Sequence, residues 1–260
     1  MRRSILRNRL AALVGARSLL FIFLLLLPAA PAWAYRPFVS TDAAVAEPQE
    51  MEIELGYFNL ERTNRENTFI APKVVLNYGL VRNLEIVGEF EVAKPPNEDA
   101  QLVDPGVFLK AVLKEGILQE KEGIGFAVEA GPLLPSTVQG KKRVGFEGIG
   151  ILSGRFVPFT YHVNLGGGVD RAKGNPFAIW GVIVEFPLFP SFRLVGEVNG
   201  ESVKGEPANN SGLFGFIWQP PSSKVLIDAG IRRGISSGAP DWRFTMGLTV
   251  SIPVLSPAIK

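Results

Sequence analysis

The chain has 260 residues with 27 Lys and Arg, 25 Asp and Glu, a single His and no Cys. Without Cys there are no disulfides, thiol catalysis or Cys-based metal sites, and one His leaves little for a transition metal. All five charges in residues 1–34 are Arg, so 22 basic residues remain against 25 acids, a net of −3 for residues 35–260; the pI of about 8.9 belongs to the leader, and nothing basic enough for nucleic acid is left.

Residues 1–34 have the parts of a cleavable signal peptide. Arg2, Arg3, Arg7, Arg9 and Arg17 make a basic start, Leu19 to Leu27 an apolar core, and Ala32-Trp33-Ala34 a small-residue cleavage motif. Nine strongly apolar residues are too few for a spanning helix, which needs about 20. Residues 35–50 show no sustained alternation and read as an N-terminal extension on the periplasmic side.

From Met51 onward the residues sort by parity. Met51, Ile53, Leu55 and Tyr57 share one face, with Glu52 and Glu54 on the other, as in a strand with one greasy and one charged side. Twelve such segments are predicted, near 51–62, 68–78, 84–92, 104–113, 124–133, 144–156, 160–170, 177–186, 192–201, 212–219, 224–232 and 242–252. Most are 9–11 residues long, the reach of a tilted strand across a bilayer. The fold class is therefore all-β: a transmembrane up-and-down antiparallel β-barrel of 12 strands over residues 51–252, with residues 253–260 as a C-terminal tail. A soluble β-sandwich also alternates, but the outer loops at 93–103, 134–143, 202–211 and 233–241 are long and most of the opposite turns are short, as barrels require.

One face carries Ile70, Val74, Leu76, Tyr78, Val107, Leu109, Val182, Val184 and Trp242 with no charge among them. A charge there costs about 2–4 kcal/mol at mid-bilayer, so a membrane enforces this segregation. The other face gives the candidate lumen lining: Lys73, Glu85, Glu89, Lys110, Glu129, Arg155, His162, Arg193, Glu197, Asp228, Arg232 and Arg243. With Glu52, Glu54, Glu91, Asp104, Glu147, Asp170, Glu185, Glu201 and Lys224 added, thirteen acids face seven bases. In an open pore that excess favours cations; in a closed one the same charges knit ion pairs. Strand ten has no polar face, and strand six sets Ile149 and Ile151 beside Glu147 and Arg155. A plugged or tightly packed lumen accounts for both.

Few residues in the sequence carry the pattern of a chemical site. His162 and Asn164 share a face in the manner of outer-membrane phospholipases, but that face is the lumen, and a satisfied lumenal His is the simpler reading. Gly166-Gly167-Gly168 lacks the strand-to-helix setting of a phosphate loop. No catalytic, cofactor or metal site is expected, and no enzyme. Lys141, Lys142 and Arg143 make a basic loop tip that solvation explains and lipopolysaccharide phosphates would suit.

Three stretches, RPFVSTDAAVAEPQEMEIELGYF, PKVVLNYGLVRNLEIVGEFE and LIDAGIRRGISSGAPDWRFTMGLTVSI, resemble the outer-membrane family named for the meta-pathway of phenol degradation and often labelled transporters. The resemblance implies an outer-membrane channel or transporter-like barrel for small hydrophobic or aromatic molecules, and it supplies no functional residues. The alternatives are a non-conducting structural or surface-interaction barrel and, third, an outer-membrane enzyme. Expected partners are outer-membrane lipids and lipopolysaccharide, a small-molecule cargo and the barrel-assembly machinery. Such barrels commonly end on an aromatic residue; here Pro253 to Lys260 follows the last strand, so an internal signal around Phe244 to Ile252 is expected to serve assembly.

Overall fold

A computed structural model describes residues 36–221 and 223–254. The expected signal peptide and most of the expected C-terminal tail lie outside these residues. Twelve strands follow one another: β1 (Glu50–Thr63), β2 (Glu66–Val81), β3 (Leu84–Lys94), β4 (Gln101–Lys114), β5 (Gly125–Leu133), β6 (Gly145–Phe156), β7 (Phe159–Val169), β8 (Pro176–Phe189), β9 (Phe192–Val203), β10 (Asn209–Trp218), β11 (Val225–Gly234) and β12 (Trp242–Pro253). Each pairs antiparallel with its neighbours in sequence, and β12 returns to β1, so the sheet closes into a barrel with no free edge.

Tight turns set the register. Asn64 and Arg65, both at positive φ (51° and 70°), make a two-residue hairpin between β1 and β2. The end that carries Glu50 and Pro253, called inner here, has two-residue turns at 82–83, 157–158 and 190–191. Its longest connection, 115–124, carries a short 3-10 turn, Ile117–Gln119. The strands run to 16 residues, longer than expected from alternation alone, so the outer loops expected at 93–103, 202–211 and 233–241 shrink to 95–100, 204–208 and 235–241. Only 134–144 exceeds nine residues. Ladder pairing continues after the alternation lapses, because backbone hydrogen bonds do not read side-chain polarity.

Outside, Leu109, Leu165, Val182, Phe214 and Ile231 are exposed. Edge-to-face contacts of Phe58 with Phe69 (5.5 Å) and Phe244 (6.0 Å) lie toward the outer end, while Phe159 with Phe186 and Phe192 with Phe216 (both 5.3 Å) lie toward the inner end. Two aromatic bands thus bracket an apolar belt. The expected face assignment fails at one place. β1 gains a residue against β12 between Leu55 and Phe58, and β2 gains one against β3 between Ile70 and Lys73. Each bulge flips parity beyond it. Ile70, expected outside, is buried in the lumen, and Asn59 and Glu61 also turn inward.

Candidate functional site: a lumen occupied by the chain's own N-terminal segment

Residues 36–49, expected as a periplasmic extension, run around the inside of the barrel wall. Arg36 is buried at mid-height. Its Nε lies 3.4 Å from Asp228 Oδ2 of β11, and its Nη2 donates to Thr245 Oγ1 of β12 at 2.8 Å. Gly56 and Gly247 make the space: a Cβ at either would stand 2.5 or 2.1 Å from the guanidinium. Phe38 then packs on Ile183, Val195, Leu213, Ile217 and Leu226. The Val39 and Ser40 N–H groups donate to the Glu197 carboxylate of β9, at 3.2 and 2.7 Å.

The chain continues past β8, where a Cβ on Gly181 would lie 1.9 Å from Ser40 Oγ. Asn164 of β7 grips Thr41 at two points, accepting from its N–H (2.9 Å) and donating to its carbonyl (2.7 Å). The Ala43 N–H donates to Ser153 Oγ of β6 (2.9 Å), and the Ala43 side chain packs among Val112, Ala127 and Ile151. Gln119 donates to the Ala43 carbonyl (2.8 Å), Ala46 N–H donates to Glu85 Oε2 of β3 (2.6 Å), and Gln49 N–H to the Gly79 carbonyl of β2 (2.8 Å). A segment without a ladder of its own thus has its N–H groups satisfied by wall side chains, as buried backbone requires. The two segments without clean polar faces are explained: Leu213 and Ile217 of β10 receive Phe38, and Ile151 of β6 receives Ala43.

Beneath this ring the charges are enclosed and partnered. Lys110 lies 3.5 Å from Glu85 and donates to Thr41 Oγ1 at 3.3 Å. Asn77 donates to Glu54 (2.9 Å) and Arg193 pairs with Glu185 (3.2 Å), while at the level of the ring Arg232, which also reaches the cavity above, pairs closely with Glu197. His162, only 1% exposed, has Ser153 Oγ 2.7 Å from Nδ1 and Glu185 Oε1 3.2 Å from Nε2.

Above the ring lies a cavity of about 560 Å³. Its floor is Arg36 and Phe38 to Thr41, and its lining rises to Lys141, Asp170, Arg171, Glu206 and Pro240 at the outer loops. Lys73 pairs with Glu91 (2.7 Å), Arg243 with Glu61 (2.5 Å) and Arg171 with Asp104 (2.7 Å). Glu89, Glu129, Glu147 and Glu201 face the same space, and no side-chain hydrogen bond or ion pair joins their carboxylates to another described residue. Val75, Val87, Phe108, Leu133 and Phe177 form an apolar wall beside them. Among the described residues no group of three or more His, Asp or Glu is arranged to hold a metal ion.

The predicted lining residues therefore divide. Lys73, Glu89, Glu129, Arg232 and Arg243 line the cavity, while Glu85, Lys110, His162, Arg193, Glu197 and Asp228 belong to the packed inner half or the ring's seat. Arg155 is a correction: it is exposed near the inner end of β6, and Lys224 is likewise exposed just before β11. Glu61 was missed because of the β1 bulge. Two ionised groups sit at the ends of the barrel. Burial opposes ionisation of Asp170, yet four backbone N–H groups, from Ala172, Lys173, Gly174 and Asn175, hold its carboxyl below the usual range. At the inner end, a hydrogen bond from Asn83, helped by Arg82, lowers Glu115.

No family model matches the chain, and no curated protein sequence does either. The resemblance to the phenol-degradation family is carried by the sequence alone. Solved structures similar to the chain are outer-membrane or membrane proteins. One, from work on in-meso crystallization of membrane proteins, is 10% identical, with 80% of this chain and 86% of that chain covered and a TM-score of 0.43. OmpT of Vibrio cholerae in its trimer form is 10% identical over 78% and 98%, TM-score 0.37. A mutant porin of Rh. blastica is 6% identical over 78% and 99%, TM-score 0.25. At these scores the likeness carries no functional argument, and the closed barrel stands on its own strand pairing.

Proposed function

We propose that the protein is an outer-membrane barrel that admits small solutes into an acidic outer vestibule and is closed at rest by its own N-terminal segment. The apolar belt between aromatic bands suits a bilayer, with outer-membrane lipid and lipopolysaccharide around it and the inner end toward the periplasm. The observation that carries the reading is the cavity of about 560 Å³ whose carboxylates, several without a side-chain partner among the described residues, stand over a floor made of residues 36–41. Carboxylates in a low-dielectric recess concentrate cations when they are ionised. The wall of Phe108, Phe177 and Leu133 beside the acids suits an apolar or aromatic body, so solutes joining a ring to an amine should enter best. Passage onward requires the segment to leave its seat.

Planar-bilayer recording tests this. The wild-type barrel should conduct little at neutral pH, and a variant lacking residues 36–43 should conduct with preference for cations. A correctly folded truncated barrel that stays silent, or one that prefers anions, overturns the proposal. A specific observation favours a second reading, a non-conducting structural barrel: Ile151, Ile183 and Ile217 are almost wholly buried, so the inner half resembles a packed core. Silence of the truncated barrel would support that reading.

A further inference from the structure

The sole histidine sits in a relay that ends on the gate. Arg193 pairs with Glu185, Glu185 faces His162 Nε2, His162 Nδ1 faces Ser153 Oγ, and Ser153 Oγ accepts from the Ala43 N–H. The three central residues follow the order of a hydrolytic triad, but Ser153 is 0% exposed and its oxygen is already engaged by Ala43, so no substrate can reach it. The same geometry makes a latch. With His162 neutral, Nε2–H donates to Glu185 and Nδ1 accepts the Ser153 hydroxyl proton, leaving a serine lone pair for Ala43. Every group is satisfied.

We infer that His162 is a proton-operated latch for the N-terminal gate: taking up a proton, it converts Nδ1 from acceptor to donor and weakens the hold of Ser153 on Ala43. This rests on the gated-barrel reading above. After protonation Nδ1–H and the Ala43 N–H take both lone pairs of the Ser153 oxygen, and the hydroxyl hydrogen, crowded between them, has lost its acceptor inside an enclosed site. Leaving the seat lets water satisfy all three. The groups around His162 permit the change. Glu185 from β8 lies at 3.2 Å, Asp42 of the segment itself interacts with both His162 and Glu185, and Arg193 from β9 and Lys110 from β4 complete the surroundings, Lys110 being held by Glu85.

The chain has no Cys, so a nitroxide on Val39→Cys reports the segment alone; Val39 is 56% exposed, on the cavity side. Acidification from about pH 7.5 to about pH 5 should raise the mobile fraction of the label, shifting the ratio of released to seated segment by about 5- to 150-fold. His162→Gln keeps an acceptor toward Ser153 and a donor toward Glu185 but gains no proton, so it should stay seated at both pH values. Ser153→Ala should be mobile already at neutral pH and respond no further. An acid response that persists in His162→Gln, or a Ser153→Ala segment that remains immobile at neutral pH, overturns the latch. The label reads the gate and bilayer currents read passage. Conduction by the barrel lacking residues 36–43 with no acid release in the intact one refutes the latch and keeps the channel. Acid release without current supports the latch and removes the channel.

Discussion

The two halves of the lumen are built from the same strands yet behave as different materials. On β9, Glu197 in the inner half is almost fully enclosed, pairs with Arg232 and receives the N–H groups of Val39 and Ser40. Four residues further on, Glu201 faces the outer cavity without a direct partner among the described residues. Alternation put both carboxylates inward. What separates them is coverage: one faces a peptide that brings donors and the other faces space. Inward polarity specifies a lumen, and only the presence or absence of a covering segment decides whether that lumen is core or vestibule.

Neutralising one carboxylate from each half should have the largest effect. Glu197→Gln leaves Arg232 without its charge partner in an enclosed site and weakens the grip on two backbone groups, a loss of about 3–5 kcal/mol if the segment stays seated. The segment should instead detach, visible as rapid proteolysis between Arg36 and Gln49. Glu201→Gln should melt with the wild type. Equal melting and equal cleavage of the two variants would show that coverage is not what distinguishes the halves.

Steric replacement comes next in size. A side chain at Gly181 collides with Ser40, so Gly181→Val should cost about 1–3 kcal/mol of segment seating while the barrel itself stays closed. Gly88→Val is the matching control, because a Cβ there meets nothing within 4 Å. The readout is protease protection of the segment beside heat-modifiable gel migration of the barrel. Loss of barrel migration with Gly181→Val would mean that segment and wall fold as one unit.

The barrel itself was legible because bilayer and pleat impose a period of two on every strand, and that period survives in residues such as Leu109, Lys110 and Glu129. Its failures were local. One extra residue in β1 and one in β2 moved Ile70, Asn59 and Glu61 across the wall, and a bulge leaves no mark in polarity strong enough to read. The segment at 36–49 was legible only indirectly. Its residues make no ladder and show no alternation, because their hydrogen bonds go to Glu197, Asn164, Ser153 and Glu85, distant in sequence. The trace it did leave lay on its partners: Ile151, Leu213 and Ile217 are apolar where the lumen should be polar. Ser153 and Glu185 carried no signal beside His162, since their approach depends on the register of β6, β7 and β8.

Changing the vestibule acids probes the outer half in turn. Glu89, Glu129 and Glu147 lie close enough to repel one another, so the triple change to Gln should leave the melting temperature unchanged or raise it. In a barrel lacking residues 36–43 it should lower the cation-over-anion permeability ratio by about tenfold or less, read from reversal potentials across a salt gradient. The same substitution at Glu85, held by Lys110 and Ala46, should destabilise instead. Unchanged selectivity in the triple variant would take the vestibule out of the conduction path.

The smallest effect is expected at the outer rim, where Asp170 organises loop 170–175 by accepting four backbone N–H bonds. Its carboxyl is held below the usual range in the folded chain, so the unfolded chain is the better proton acceptor. The contribution to loop order is therefore complete above the ordinary carboxylate pKa of about 3.9 and is lost as pH falls through the lower folded value. Asp170→Asn, whose amide has one acceptor oxygen, should show at neutral pH the loop exchange that the wild type reaches only in acid. Amide exchange of residues 172–175 is the measurement, with Ala43 as internal reference for the seated segment. Because Asp170 lines the vestibule and its side-chain hydrogen bonds all stay within its own loop, the loop should loosen while Ala43 stays protected. Simultaneous loss of protection at both places would show that the outer rim and the ring beneath it are coupled, and that the two halves of the lumen are not independent after all.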